Sequence, residues 1–157
     1  MRMIAAGLLV MASPAMATDY VVIELHADVK ASADTTWARI GDFCAIEKWA
    51  GLKCTLASGT GGVGSVRSLN NGVVEEPMVA HTAHSYTYSQ IVGGNKGIDY
   101  HGTLAVEPAG RNASRITYTL LYDQSLVAAE KRDAMRPGMT TRFQSFVDKM
   151  KAMAEAK

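Results

Sequence analysis

Charge of one sign is what this sequence most plainly lacks. Lys and Arg total 16 and Asp and Glu total 15, a formal net charge of +1, and no five like charges run together. That balance supplies no electrostatic reason for nucleic acid or an anionic membrane as a partner. Beyond the first residues there is no apolar run near the roughly 20 residues needed to cross a bilayer as a helix, so no transmembrane span is expected. The Gly59–Gly64 loop lacks the Lys that a phosphate-gripping Walker loop places after its last glycine; Ser65 and Val66 stand there. It also joins two strands, whereas a dinucleotide fingerprint joins a strand to a helix, so it reads as a tight turn with positive-φ positions. No Gly-x-Ser-x-Gly is present, and Gly62-Val63-Gly64-Ser65-Val66 does not fit it, which removes the serine-hydrolase reading. The histidines do not form a ligand set. His81 and His84 are three apart on extended chain and so turn to opposite faces, and His26 lies on the polar face of a strand. No metal and no cofactor is expected. Asn112-Ala113-Ser114 matches a glycosylation sequon but is explained by a turn.

What is present begins with a leader. Met1-Arg2-Met3 is a short positive start, Ile4 to Ala12 is uncharged and apolar, Ser13-Pro14 breaks the run, and Ala15-Met16-Ala17 is a small-x-small site. This is the order of a secretory signal peptide, with cleavage expected after Ala17 and a periplasmic or secreted product. Residues 18–157 then form one domain, enough chain for a full hydrophobic core. Apolar residues make up 48% and charged residues 20% of the chain, the balance of a globular protein. The two cysteines, Cys44 and Cys54, both lie in the exported part. An even count in an oxidising compartment favours a disulfide over two free buried thiols. The short loop it closes would add about 3 kcal/mol on the chain-entropy model.

Periodicity predicts the elements. Tyr20 to Lys30 alternates, with Ile23, Leu25, Ala27 and Val29 on one face, as in a half-buried strand. Short helices are expected over 36–43 and 45–50, the second ended by Gly51. Strands are expected over 52–58, 65–69, 73–80, 85–92, 98–107 and 115–122, an antiparallel meander punctuated by Asn70-Asn71-Gly72, Gly93-Gly94 and Pro108–Asn112. From Ala128 onward the pattern becomes helical. Met139, Phe143, Phe146, Val147, Met150 and Ala154 form a stripe, with Arg142, Lys149 and Lys151 elsewhere on the wheel and a kink expected at Pro137. Neither the sheet face nor the helix stripe can be buried alone, so the last helix packs into the concave face of the sheet. The fold class is α+β, a curved antiparallel sheet of about six to seven strands, two short helices and a long C-terminal helix.

Four stretches carry a resemblance: Trp37-Ala38-Arg39-Ile40-Gly41-Asp42-Phe43 followed by Trp49, the loop from Gly59 to Arg67, Tyr100-His101-Gly102-Thr103-Leu104, and Ile116-Thr117-Tyr118. With the order of elements, they make the chain resemble the helix-grip superfamily from Val21 to its C-terminus. That superfamily includes START lipid-transfer domains, the bacterial polyketide cyclase/dehydrase-like (SRPBCC) proteins and the plant birch-pollen-allergen family. The first stretch is similar to the family's first-helix pattern, the second to the glycine-rich loop of the pollen-allergen branch, and the last two to the later strands of the cyclase-like branch. Export with two cysteines looks most like secreted members of the cyclase-like branch.

The resemblance implies a cavity between sheet and helix rather than a solid core. Strand parity groups Tyr86, Tyr88 and Gln90, pairs Tyr100 with Leu104, and aligns Ile116, Tyr118 and Tyr122. Of Arg67 and Val66 only one points inward, and likewise of Glu75 and Glu76. Pocket candidates are therefore Trp49, Arg67, Glu76, Tyr86, Tyr88, Gln90, Tyr100, Tyr118 and Tyr122, with Met139 and Phe143 as a helix wall. No catalytic residue is assigned. The leading expectation is an exported binder or carrier of a hydrophobic small molecule: a lipid, a sterol-like or an aromatic compound. The resemblance also implies two alternatives. One is a cyclase/dehydrase-like enzyme in which Arg67, Tyr88, Tyr100 or Tyr118 positions an enolate or donates a proton. The other is an accessory protein with a periplasmic protein partner, such as the oxidoreductase methanol dehydrogenase.

Overall fold

The computed structural model describes residues 18–156. The expected signal peptide and its cleavage site lie outside the described residues. Seven strands form one antiparallel sheet: β1 (Tyr20–Val29), β2 (Cys54–Ser58), β3 (Val66–Leu69), β4 (Val74–Thr82), β5 (Ser85–Ser89), β6 (His101–Gly110) and β7 (Ala113–Asp123). Their spatial order is β1-β7-β6-β5-β4-β3-β2, so every neighbouring pair except β1–β7 is consecutive in the chain. Between β1 and β2 lie α1 (Ala33–Ile40) and α2 (Ile46–Ala50); a single 3-10 turn over Gln124–Leu126 leads into α3 (Ala129–Glu155).

The period-two pattern becomes two different faces. Ile23, Leu25 and Val29 of β1 point to the core with Leu104 and Val106 of β6 and Ile116, Tyr118, Leu120 and Tyr122 of β7. Glu24, His26 and Asp28 face outward. Ser32 caps α1, its hydroxyl accepting from the Thr35 N–H, and Gly51 ends α2 in the left-handed conformation at φ 71°. Arg39 fastens α1 to the end of α3 by donating to the Ala154 carbonyl at 2.7 Å. Cys44 and Cys54 are joined by a disulfide, which ties the connection between α1 and α2 to the start of the edge strand β2.

Among the boundaries that differ from the pattern, three have a local cause. α1 starts at Ala33, three residues early, because Ser32 supplies the cap and the helix then ends at Ile40. The strand expected to reach Val92 stops at Ser89, and the one expected from Ile98 starts at His101. Gly93 and Asp99 take positive φ, of 126° and 50°, which breaks both ladders, although Ile98 and Tyr100 remain buried. Pro137 does not divide the last helix; α3 runs through it for 27 residues. All of its buried side chains (Met139, Phe146, Val147, Met150 and Ala154) follow the proline. They lie across the concave face, and Arg67, Glu76 and the aromatic residues occupy the space between.

Candidate functional site

Arg67 on β3 and Glu76 on β4 are direct cross-strand partners in the ladder. Both are turned inward, with Arg67 0% and Glu76 4% exposed. Two charges in such a place require partners. The Arg67 Nε donates to Glu76 Oε2 at 2.8 Å, and Nη2 lies 2.7 Å from the same oxygen, an ionic contact off the hydrogen-bond line. Nη1 donates to the Phe43 carbonyl at 2.8 Å and more weakly to the Tyr86 hydroxyl at 3.5 Å. The guanidinium also lies over the Phe43 and Tyr88 rings, 4.4 and 4.5 Å from their centres. Burial works against the charge of Arg67. Its surroundings, Tyr86 and the Glu76 carboxylate foremost, outweigh that, and its pKa stands above the ordinary value. The other oxygen of Glu76 accepts from the Gln90 amide at 3.1 Å, and Gln90 in turn accepts the Asn95 N–H at 2.6 Å.

Beside this pair is a chain of phenols. The Tyr88 hydroxyl is 2.7 Å from that of Tyr118 and 3.3 Å from that of Tyr100. Gly102 makes the arrangement possible: a Cβ there would stand 2.4 Å from the Tyr88 hydroxyl and ring. Burial pushes Tyr88, Tyr100 and Tyr118 well above their ordinary pKa. Tyr100 and Tyr118 add to the effect at Tyr88, while the hydrogen bond from Tyr88 offsets part of it at Tyr100. At neutral pH all three are therefore uncharged hydrogen-bonding groups and not proton-exchanging bases.

A cavity of about 80 Å³ lies against these groups. Its polar wall is Glu76, Tyr88, Gln90, Asn95, Tyr100 and Arg142; its apolar wall is Ile46, Leu52, Leu69, Val74, Phe143 and Phe146. Asn95, Arg142 and Phe143 also line a groove of about 260 Å³ outside it, beside Met135, Gly138 and Met139. Ala134 and Met135 also line a groove of about 430 Å³ between Ile98, Val127 and the first turns of α3.

Of the residues expected at a pocket, Glu76, Tyr88, Gln90, Tyr100 and Phe143 line the inner cavity and Met139 the outer groove. Arg67, Tyr86 and Tyr118 stand behind the polar wall as its support. Trp49 and Tyr122 do not line the cavity. Trp49 packs on Tyr118 and Phe146, and its indole N–H, like the Tyr122 hydroxyl, is buried without a partner among the described residues. Sequence parity missed Leu69, which shares the inward face of β3 with Arg67, and Asn95, which lies in a loop. It also left Arg142 on the solvent side of the helix. The histidines are peripheral: His26 lies beside Glu24 and His84 beside Asp34.

Residues 20–155 match the model of the family described as polyketide cyclase / dehydrase and lipid transport. The chain belongs to this family. No curated protein matches it. The fold of this polyketide cyclase/dehydrase family member recurs in solved structures. The Zhui aromatase/cyclase of a Streptomyces species superposes with a TM-score of 0.72 at 14% identity, covering 87% of this chain and 94% of that one. A Thermobifida fusca protein gives 0.70 at 17%, covering 87% and 97%. Norcoclaurine synthase of Thalictrum flavum, in complex with dopamine and hydroxybenzaldehyde, gives 0.64 at 20%, covering 97% and 100%. At these identities the likeness is one of fold. No helix among the described residues is long and apolar enough to cross a membrane.

Proposed function

We propose that this family member is an exported binder of a hydrophobic small molecule, seated between the concave sheet and α3. The observation that carries this reading is the polar-ended cavity at Tyr88 and Tyr100, which shares Asn95, Arg142 and Phe143 with the groove beside α3. Apolar walls with a few convergent polar groups are the usual composition of a small-molecule site. The inner volume of about 80 Å³ is well below the roughly 300–1,000 Å³ of sites that enclose a drug-sized ligand. A sterol or a two-chain lipid therefore does not fit inside. The edge of a ring does, with the body of the molecule in the groove. The disulfide supports an oxidising compartment, in keeping with the leader at residues 1–17. The test is native mass spectrometry of protein purified from the periplasm. A chain beginning at Thr18 that carries a co-purifying small molecule, released by denaturation, is the expected result. A bare chain that takes up no apolar dye would refute the binding reading.

A cyclase/dehydrase-like reaction is the second reading, favoured by the hydroxyls of Tyr88 and Tyr100 at the cavity wall. Phenols kept neutral by burial can donate to a developing oxyanion, which is how they would act on an enolate. Acid–base work at neutral pH suits them poorly, because a useful pKa lies near the working pH. For that reason binding ranks first.

A further inference from the structure

The polar groups that the cavity leaves unused are unequal in kind. The Glu76 carboxylate already receives Arg67 and Gln90, and Gln90 receives the Asn95 N–H. The hydroxyls of Tyr88, Tyr100 and Tyr118 hold three protons but make two contacts with one another. One O–H is therefore left over among the described residues, and the two phenols that can present it to the cavity are Tyr88 and Tyr100. At the mouth stands Arg142. It lines both the inner cavity and the outer groove, its guanidinium carbon lies 6.0 Å from the centre of the Phe146 ring, and no carboxylate pairs with it among the described residues. The interior charges cancel within the Arg67–Glu76 pair, so the uncompensated charge at this site is the positive one at its opening.

We infer that the ligand is an organic monoanion: an apolar ring body that lies in the outer groove with its edge in the inner cavity, bearing a carboxylate that Arg142 takes at the mouth. This deepens the binding reading and rests on it. A guanidinium presents two parallel N–H donors to a carboxylate, and the Phe146 ring beneath holds the side chain over the opening. A single cation matches a single negative charge, and the spare phenol proton matches an acceptor on the ring. Arg142 is exposed on the helix surface, so replacing it does not disturb the core.

The test uses the mature protein with N-phenyl-1-naphthylamine as an uncharged fluorescent reporter. The reporter is displaced by 1-naphthoate and, separately, by the uncharged 1-naphthalenemethanol. In the wild type, naphthoate should displace it at about tenfold lower concentration, the effect of one charge-assisted hydrogen bond. Arg142→Gln should remove that difference by weakening displacement by naphthoate, and Arg142→Lys, which keeps the charge but not the paired N–H donors, should restore only part of it. Equal displacement by the two competitors in the wild type, or a preference that survives in Arg142→Gln, overturns the monoanion assignment and leaves the binding reading standing. If the reporter finds no saturable site in the wild type, the binding reading falls and this one falls with it.

Discussion

Arg67 and Glu76 are almost wholly removed from water, and each is the other's counter-charge. Removing one partner of such a pair leaves a buried charge uncompensated, at a cost of about 3–5 kcal/mol, whereas replacing both with apolar side chains of similar volume is often neutral. Glu76→Ala should therefore lower the unfolding free energy by about 3 kcal/mol or more. Arg67→Met combined with Glu76→Leu should lose less than Glu76→Ala alone, although the Phe43 carbonyl then loses its donor. Urea unfolding of the three proteins measures this. A loss below about 1 kcal/mol for Glu76→Ala would mean that the pair acts like an exposed ion pair and that the interior is wet. The prediction separates stability from binding, because the pair stands largely behind the cavity wall and only Glu76 reaches it.

At the scale of elements, α3 is one continuous helix with two unlike halves. Its first turns, up to Pro137, bury no side chain and are anchored by Arg132, which donates to the Val127 and Ser125 carbonyls. The part after Pro137 carries the whole apolar stripe. Pro137 has no N–H for the Asp133 carbonyl, and Gly138 beside it favours helix weakly. This weak point falls at the outer groove, next to Met135 and Met139. Amide exchange should therefore be faster over residues 130–136 than over 143–154. Pro137→Ala should slow exchange in the first stretch, with a gain of up to about 3 kcal/mol in local helix stability, and should slow release of a bound guest. Uniform protection along α3 in the wild type would contradict this division. The sequence showed the helix and its stripe because a 3.6-residue period marks both. It showed Tyr86, Tyr88 and Tyr118 facing inward because a period of two does the same for strands, and it required one of Glu75 and Glu76 to face inward without choosing between them. The 90–99 segment was not legible in that way: a positive φ at Asp99 ends the alternation while Tyr100 still turns inward. Arg142 was hidden for the opposite reason. A basic residue on the polar side of a helix gives no signal that the helix edge borders a cavity, since the loop carrying Asn95 decides that.

Across the whole molecule, the phenol chain links the middle of the sheet to its own pH limit. Tyr88 lies on β5, Tyr118 on β7, and Tyr100 immediately before β6, so the three hydroxyls meet over the central strands. Each has a folded pKa raised above the ordinary 10.0, chiefly by burial. A raised pKa means that the folded state holds its protons longer than the unfolded chain does. Their contribution to stability is thus complete below pH 10 and is lost as the pH climbs from there toward the folded values. These phenols cannot ionise one by one inside the fold, because a single phenolate there would be a buried charge. Tyr20 differs: it is exposed, and its pKa is raised first by its hydrogen bond to Asp99. An alkaline titration should therefore show two steps. Tyr20 should yield phenolate absorbance while circular dichroism stays native, and the buried tyrosines should ionise together with cooperative loss of that signal. Tyr88→Phe removes the hydroxyl that joins the other two and should make the second step smaller. It should also destabilise the fold at neutral pH by about 1–3 kcal/mol, since Tyr118 and Tyr100 are left without their partner. Smooth ionisation of every tyrosine near pH 10 with the native spectrum intact would mean that water already reaches the phenols, and the dry, polar-ended cavity would then be the wrong description of this interior.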